Sequence, residues 1–111
     1  MYKGVVIKES LANPDILSGF KVLRTETTDD SEWHIYWVEA DERGLESIKD
    51  NIADNRWYAH FADGGLGIVV FKDKIFRMDT KDKNTWAEAV EYGKSIGIPS
   101  EQMDFEFGEL A

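Results

Sequence analysis

The sequence predicts an α+β fold built on a largely antiparallel sheet, and three observations support this prediction. Six short segments have the β-branched and aromatic character of strands, whereas only two have a helical pattern. Most segments are joined by short hairpin-type turns, which connect antiparallel strands. Two helices are too few to cover both faces of a parallel sheet. We therefore expect the order β-β-β-α-β-β-β-α plus an extended C-terminal tail, with the two helices packed on one face of the sheet.

The first three strands are predicted from apolar segments that polar ones separate. Val5–Ile7 is strand-like, and Asn13–Asp15 follows as a turn or a short helical cap. The second strand covers Phe20–Thr28, where apolar and β-branched residues alternate with charged ones. After a polar connection over residues 28–32, the third strand, Trp33–Val38, is aromatic or β-branched at every position except its histidine.

The first helix is predicted to begin after Asp41, whose side chain is suited to accept a hydrogen bond from the first helical turn. Leu45, Ile48 and Ile52 recur at the spacing of one helical face. We expect this helix to lie on the surface, to bury that face and to end near Asn55.

A three-stranded meander is predicted after that helix. Its strands are Trp57–Phe61, Gly67–Lys72 and Ile75–Met78. The turn Asp63–Gly65 supplies glycines for the positive φ angles of a tight reversal, and Asp73 tolerates the left-handed conformation in the second turn. Two such short turns make the three strands antiparallel neighbours.

The second helix has boundary signals at both ends. Thr85 and Glu88 match a capping box at its start, and Gly97 with Pro99 is typical of a helix end. One face is traced by Trp86, Ala89, Val90 and Gly93. The tail Met103–Phe107 alternates apolar with acidic residues, so we expect it to dock as an edge strand or to lie across the core.

Several strands are apolar on both sides, which raises the question of what covers the second face of the sheet. In the third strand, Trp33, Ile35 and Trp37 point to one face, and the residues that alternate with them point to the other. Strands of this kind lie in the middle of a sheet that is covered twice. With both helices on one face, the other must meet a curled part of the sheet, a partner subunit, the tail or a ligand, and we expect the sheet or the tail in preference to a ligand.

Composition limits the functions that the chain can have. Its 111 residues fit a single domain, residues 1–111, and a hydrophobic fraction of 42% is enough for a core. The net charge of −9 opposes binding to nucleic acid or to an anionic membrane, and the absence of cysteine excludes disulfides and thiolate chemistry. The apolar run Val5–Ile7 is too short for a signal peptide, and no run approaches a membrane-spanning length. We therefore expect a cytoplasmic protein.

Five polar residues form the candidate binding cluster: His34, Tyr36, Tyr58, His60 and Asp63. The members of each histidine–tyrosine pair are two positions apart, so they share one side of a strand. If the third and fourth strands are neighbours, the two pairs converge and offer acid–base groups, with Asp63 available to orient an imidazole. The alternative is that these side chains only fill a half-buried sheet face and that Asp63 begins a turn.

Other catalytic and metal-binding patterns do not occur in the sequence. Histidine spacings such as HxH and HExxH are missing, and no serine stands in a nucleophile elbow. Gly64, Gly65 and Gly67 join two strands and do not open a helix, which argues against a phosphate-binding loop. We assign the four tryptophans to the core, and we assign no catalytic residue, no metal and no cofactor.

Four segments carry a family resemblance: Lys3–Leu11, Trp57–Phe61, Val69–Phe76 and Tyr92–Phe105. They extend over nearly the full chain, and none of them is a catalytic signature. On these segments the chain resembles a family of small single-domain prokaryotic proteins of unknown function. The resemblance implies a stand-alone protein from a bacterium or an archaeon, and it carries no activity or functional residue over to this chain.

Three functions are compatible with these patterns. We expect a non-enzymatic binding or protein-interaction domain, in which an apolar sheet face or the edge of the meander meets a second copy or an unknown protein partner. The alternative is a small acid–base enzyme that uses the histidine–tyrosine cluster. A second alternative, which follows from charge alone, is an acidic inhibitor that mimics nucleic acid.

Overall fold

A six-stranded antiparallel sheet and two α-helices form the fold in the computed structural model, which describes residues 1–27, 33–55, 57–99 and 103. The strands are β1 (Tyr2–Ile7), β2 (Lys21–Thr27), β3 (His34–Ala40), β4 (Tyr58–Asp63), β5 (Leu66–Phe71) and β6 (Lys74–Asp79). The helices are α1 (Glu42–Asn51) and α2 (Ala87–Ser95), and short 3-10 turns occupy Lys8–Ser10, Pro14–Gly19 and Lys83–Trp86. The predicted α+β class, the antiparallel sheet and the order of strands and helices are confirmed.

Strand β1 lies near the centre of the sheet, whose order is β2-β3-β1-β4-β5-β6. Strands β3 and β4 both pair antiparallel with β1, one on each side of it. They therefore run in the same direction, and both begin at the end of the sheet where β1 finishes. In this register Val5 stands between Trp37 of β3 and His60 of β4. Residues that precede β3 and β4 are thus brought to one end of the sheet.

The two faces of the sheet are covered by different helices. On the face that we call the α1 face, α1 contributes Leu45 and Ile48 to a buried cluster that includes Phe61. On the opposite face, the α2 face, α2 contributes Ala89 to a cluster that includes Phe71. The expectation that both helices pack on one face is therefore wrong.

The composition of β5 explains why each face needs a helix. Every residue from Gly67 to Phe71 is buried, and successive side chains point to opposite faces. Two helices on one face would leave large side chains such as Phe71 in water on the other. Because burial of one such side chain is worth about 1.5–3 kcal/mol, one helix on each face is the more stable arrangement.

Two predicted segments extend beyond the described residues. The polar connection over residues 28–32 lies outside them, as does the predicted tail after Met103. Met103 itself is buried on the α2 face, where its side chain lies so close to Gly93 of α2 that a Cβ atom at position 93 would displace it. This methionine therefore takes part in covering the second face.

Local signals set several of the element boundaries. The predicted cap at Asp41 is confirmed, since its carboxylate accepts a hydrogen bond of 2.8 Å from the Gly44 N–H. The predicted capping box at Thr85 is wrong, because no side chain caps α2. The Thr85 hydroxyl accepts from the Asp79 N–H at 2.9 Å and donates to the Asp82 carbonyl at 2.7 Å. It thus closes the 3-10 turn that precedes α2.

Two residues with positive φ confirm a predicted turn and a predicted helix end. Asp73 has φ 67° in the turn between β5 and β6, and Gly97 has φ 97° directly after α2. The chain reversal at Gly97 lets the Ile98 N–H donate to the Gly93 carbonyl at 2.9 Å. The first helix ends at Asn51, one turn earlier than its apolar pattern indicates.

Candidate functional site

A cavity of about 540 Å³ lies on the α2 face at the end of the sheet where β1 finishes and β4 begins. We call it the aromatic pocket. Its described lining consists of Val5, Ile7, Trp33, Trp57, Tyr58, His60, Gly97, Ile98 and Pro99. Four of these nine residues carry aromatic rings. The nine residues come from four separate parts of the chain.

The floor of the aromatic pocket comes from β1 and β4. Val5 is the direct cross-strand neighbour of His60, so their side chains share one face. Tyr58 lies two residues before His60 on that same face, with a ring-to-ring distance of 6.4 Å. The Tyr58 ring also packs against the buried Phe71, with ring centres 5.7 Å apart. This contact holds the Tyr58 ring against the core.

Two tryptophans form one side of the aromatic pocket. Trp33 directly precedes β3 and Trp57 directly precedes β4. Because those strands begin at the same end of the sheet, the two indoles meet, with ring centres 4.9 Å apart and planes inclined at 68°. Trp33 keeps 39% of its surface exposed, which is unusual for so large an apolar side chain and leaves indole surface accessible to solvent.

The turn after α2 supplies the opposite side. Gly97 adopts its positive φ, and the hydrogen bond from Ile98 back to Gly93 holds the turn against the helix end. The Ile98 side chain is buried in the α2-face cluster, and Pro99 follows at the surface. This side of the pocket is therefore tied to the core.

The described lining of the aromatic pocket contains no aspartate, glutamate, lysine or arginine. Its polar side-chain groups are two indole N–H donors, one phenol and one imidazole. Such a surface can bind an apolar or aromatic group by contact with the rings, and it can orient that group with one or two hydrogen bonds.

The structure divides the candidate cluster that the sequence predicts. Tyr58 and His60 lie together in the aromatic pocket. His34 and Tyr36 belong to β3, which β1 separates from β4, so the conditional pairing of His34 with His60 does not occur. Tyr36 packs against the cluster on the α1 face, opposite to His60.

His34 has a partner outside the aromatic pocket. Its backbone N–H donates to one carboxylate oxygen of Glu9 at 2.6 Å, and its Nδ1 lies 2.9 Å from the other. Partial desolvation acts to raise the pKa of the Glu9 carboxyl, but the hydrogen bonds from His34 outweigh it, and that pKa lies below its ordinary value. The contact ties the start of β3 to the 3-10 turn after β1.

Asp63 is also placed away from His60. It is the last residue of β4, three positions beyond His60, so the two side chains point to opposite faces and their Cα atoms are about 10 Å apart. Its charge instead acts near Tyr2, whose pKa is raised first by a hydrogen bond to Glu42 and to a smaller extent by Asp63. Asp63 cannot orient the His60 imidazole in this arrangement.

Sequence reasoning assigned Trp33 and Trp57 to the core. Trp57 does pack against the α1-face cluster, but the place of both residues in the pocket was missed. The signal that could have found them is their position, since each stands immediately before a strand. That signal becomes informative only when both strands are known to flank β1 in the same direction. The strand order was not predictable from the sequence, because a helix separates β3 from β4.

Comparisons with known proteins add no constraint on the site. No protein-family model, no curated protein and no solved structure matches this chain. Within the part of the chain that the structure describes, no three histidine, aspartate or glutamate side chains converge as a metal site would need. Neither of the described helices is long and apolar enough to cross a membrane.

Proposed function

We propose that this protein is a non-enzymatic binding domain and that the aromatic pocket is its binding site for a small molecule. The observation that carries the proposal is a cavity of about 540 Å³ whose lining combines apolar side chains with four aromatic rings. Small-molecule sites typically enclose about 300–1,000 Å³ and pair apolar walls with a few polar groups.

The construction of the walls supports this proposal. The Tyr58 ring rests on Phe71, which itself contacts the rings of Phe76 at 5.8 Å and Tyr92 at 5.2 Å. A side chain held in this way loses little rotamer freedom when a ligand binds, so less of the contact energy is lost to ordering.

The alternative, an acid–base enzyme, is favoured by one observation, which is that His60 lines the pocket next to Tyr58. Catalysis by an imidazole usually needs a third group that orients it. Asp63, the carboxylate that the sequence predicts for this role, points to the opposite face of the sheet. We therefore prefer the binding domain.

The proposal includes self-association, in which a second copy of the chain pairs with strand β2. Strand β2 is an edge of the sheet, and all of its residues are exposed, including Val22 at 41% and Leu23 at 43%. An edge strand presents unpaired N–H and carbonyl groups that a second copy can use. Light scattering would return the mass of a dimer if β2 pairs in this way, and the mass of a monomer would remove this part of the proposal.

The remaining expectations on partners and location rest on charge and composition. A net charge of −9 and the absence of cysteine are compatible with a cytoplasmic protein that does not bind nucleic acid. Mimicry of nucleic acid is less favoured, because several acids are paired with bases at the surface, such as Glu39 with Lys21, Glu26 with Arg24 and Glu42 with Arg77. The prokaryotic origin that the resemblance implies stays a prediction.

A fragment screen by ¹H–¹⁵N NMR on the full chain tests the proposed function. We expect to find fragments whose binding changes the chemical shifts of the backbone amides of Val5, His60 and Ile98. These residues line the pocket from three separate parts of the chain. Trp33→Ala should weaken those fragments roughly two- to tenfold, since loss of an aromatic contact costs about 0.5–1.5 kcal/mol. Leu23→Ala is the matched control, because Leu23 is an equally exposed apolar residue outside the pocket. Fragments that bind only elsewhere, or none at all, would contradict the proposal.

A further inference from the structure

The two edge strands of the sheet differ in how their outer backbone groups are used. At β6, the turn before α2 covers the edge: the Asp79 N–H donates to the Thr85 hydroxyl at 2.9 Å, and the Asp79 carbonyl accepts from the Trp86 indole at 2.7 Å. At β2, all seven residues are exposed, and among the strands that the structure describes only β3 pairs with it. Strand β2 is therefore the edge at which another strand can extend the sheet.

The hydrogen bonds of β3 show which backbone groups of β2 face outward. The His34 N–H donates to Glu9, which lies on the β1 side of β3. Successive residues of an antiparallel strand direct their backbone groups to opposite sides. Ile35 therefore directs its own groups towards β2, where Glu26 is its partner. Thr25, the residue before Glu26, thus directs its N–H and carbonyl groups to the open edge.

A β-bulge limits the regular part of this edge. Leu23 is the extra residue between Val22 and Arg24 in the pairing with β3. A bulge bends its strand and interrupts the regular spacing of the backbone groups. A second strand can therefore form a regular ladder only with residues 24–27.

The charges of β2 favour a second copy of this chain as the added strand. The strand carries two basic residues and one acidic residue, which are Lys21, Arg24 and Glu26, in a protein of net charge −9. Two acidic copies therefore repel each other least at this strand. Arg24 and Glu26 share one side of β2, form an ion pair of 2.8 Å and keep about half of each side chain exposed. An antiparallel copy can place the opposite charge against each of them.

We infer that two copies of this protein pair antiparallel through β2, with Thr25 on the two-fold axis between them. The inference rests on the self-association in the proposed function and specifies its register. Thr25 then lies opposite the partner's Thr25, so that their outward N–H and carbonyl groups bond to each other. Arg24 lies opposite the partner's Glu26, and Glu26 opposite the partner's Arg24. Because the contact uses the same strand of both copies, it closes at a dimer.

The next register along the strand is disfavoured by charge. Thr27 also faces outward, since it follows Glu26. Placing Thr25 opposite the partner's Thr27 would keep the backbone hydrogen bonds. It would also bring the two Glu26 side chains directly opposite each other, and like charges in that position are destabilising.

Thr25→Pro tests the backbone pairing. Proline has no N–H, and an edge strand tolerates it where that N–H faces outward. We expect the variant to keep its fold by circular dichroism and to dissociate about tenfold more readily in sedimentation equilibrium, because two backbone hydrogen bonds across the axis are lost. Thr25→Val is the matched control, since it keeps both the N–H and the β-branched shape, and it should dimerise like the parent.

Charge reversal tests the register. Arg24→Glu and Glu26→Arg each place like charges at two positions of the homodimer, so each should weaken it about tenfold. A mixture of the two variants restores opposite charges at both positions, and native mass spectrometry should show heterodimers about tenfold in excess of homodimers. The variants have net charges of −9 − 2 = −11 and −9 + 2 = −7, so both remain acidic and overall attraction cannot produce this excess. Lys21→Glu is the control, because it reverses a charge outside residues 24–27.

The possible outcomes separate this inference from the proposed function. A monomer even at millimolar concentration overturns the inference together with self-association, while the fragment screen tests the small-molecule site independently. A dimer that Thr25→Pro does not weaken, or a mixture without excess heterodimer, overturns the register and leaves self-association through another surface. Loss of the dimer in Thr25→Pro together with excess heterodimer in the mixture supports the inference, since mixing cannot restore contacts that Arg24 makes within its own chain.

Discussion

The close approach of Gly4 to Phe61 predicts that a Gly4→Ala substitution lowers the stability of the protein. Gly4 is buried in β1 and is the cross-strand neighbour of Phe61, whose ring lies over it. A Cβ atom at position 4 would stand 2.1–2.4 Å from three atoms of that ring, whereas ordinary contacts begin at 3.4 Å. The Gly4→Ala variant can therefore fold only if the ring moves by about 1.3 Å, a shift that follows from these distances.

The size of the effect follows from the burial of Phe61. Its ring is fully buried, so no open space accepts the displacement, and overpacking of this kind costs about 1–3 kcal/mol. We expect the upper end, about 3 kcal/mol, which for 111 residues lowers Tm by roughly 13 °C. Without the contact, alanine would stabilise a strand relative to glycine by about 0.5–1 kcal/mol. The clash with Phe61 thus makes the substitution destabilising, whereas without the clash it would be stabilising.

Urea unfolding followed by tryptophan fluorescence, together with calorimetry, measures this change. Gly19→Ala is the matched control, because a Cβ atom there would meet nothing within 4 Å, and its stability should change by less than about 1 kcal/mol. Trimming the ring with Phe61→Leu in the Gly4→Ala background should recover at least about 1 kcal/mol relative to the sum of the single changes. A Gly4→Ala protein as stable as the parent, or additive single changes, would refute the reasoning.

Three further predictions concern local interactions. Asp41→Ala should lose about 1 kcal/mol in urea unfolding, because the cap on the Gly44 N–H is removed, while Asp41→Asn should keep most of that stability. Asp73→Ala should lose about 1 kcal/mol at φ 67° and Asp73→Gly should not, and equal losses in the two would contradict a left-handed residue at this turn. Because the folded pKa of Glu9 is lowered, its interaction with His34 stabilises the protein above about pH 4.5 and is lost as pH falls through the folded value. The Tm difference between the parent and Glu9→Gln should therefore shrink as the pH falls below about 4.5, and a difference that keeps growing below that pH would contradict this sign.

The elements of the fold could be predicted because their signals are local. Alternating apolar and β-branched residues predicted the six strands, and Asp41, Asp73 and Gly97 marked a helix cap, a turn and a helix end that the structure contains. The error at Thr85 has a local cause too, since its hydroxyl bonds to Asp79 and Asp82 in a 3-10 turn in place of the first turn of α2. A capping box and such a turn have similar residue patterns.

The sequence predicted only some of the residues that line the aromatic pocket. Tyr58 and His60 share a side of β4 by strand alternation, which is a local property, and both line the aromatic pocket. Joining them to His34 required β3 to neighbour β4, and the placement of β1 between those strands separates the pairs. The same placement brings Trp33 and Trp57 together.

The sequence by itself determined which segments form strands and helices, that several strands are apolar on both sides, and that the chain is acidic and free of cysteine. Only the tertiary structure decided that α1 and α2 lie on opposite faces and that two tryptophans 24 positions apart enclose a pocket. The physical reason is that propensity and alternation act over a few residues, whereas strand order depends on the free energy of burying both faces of the sheet at once.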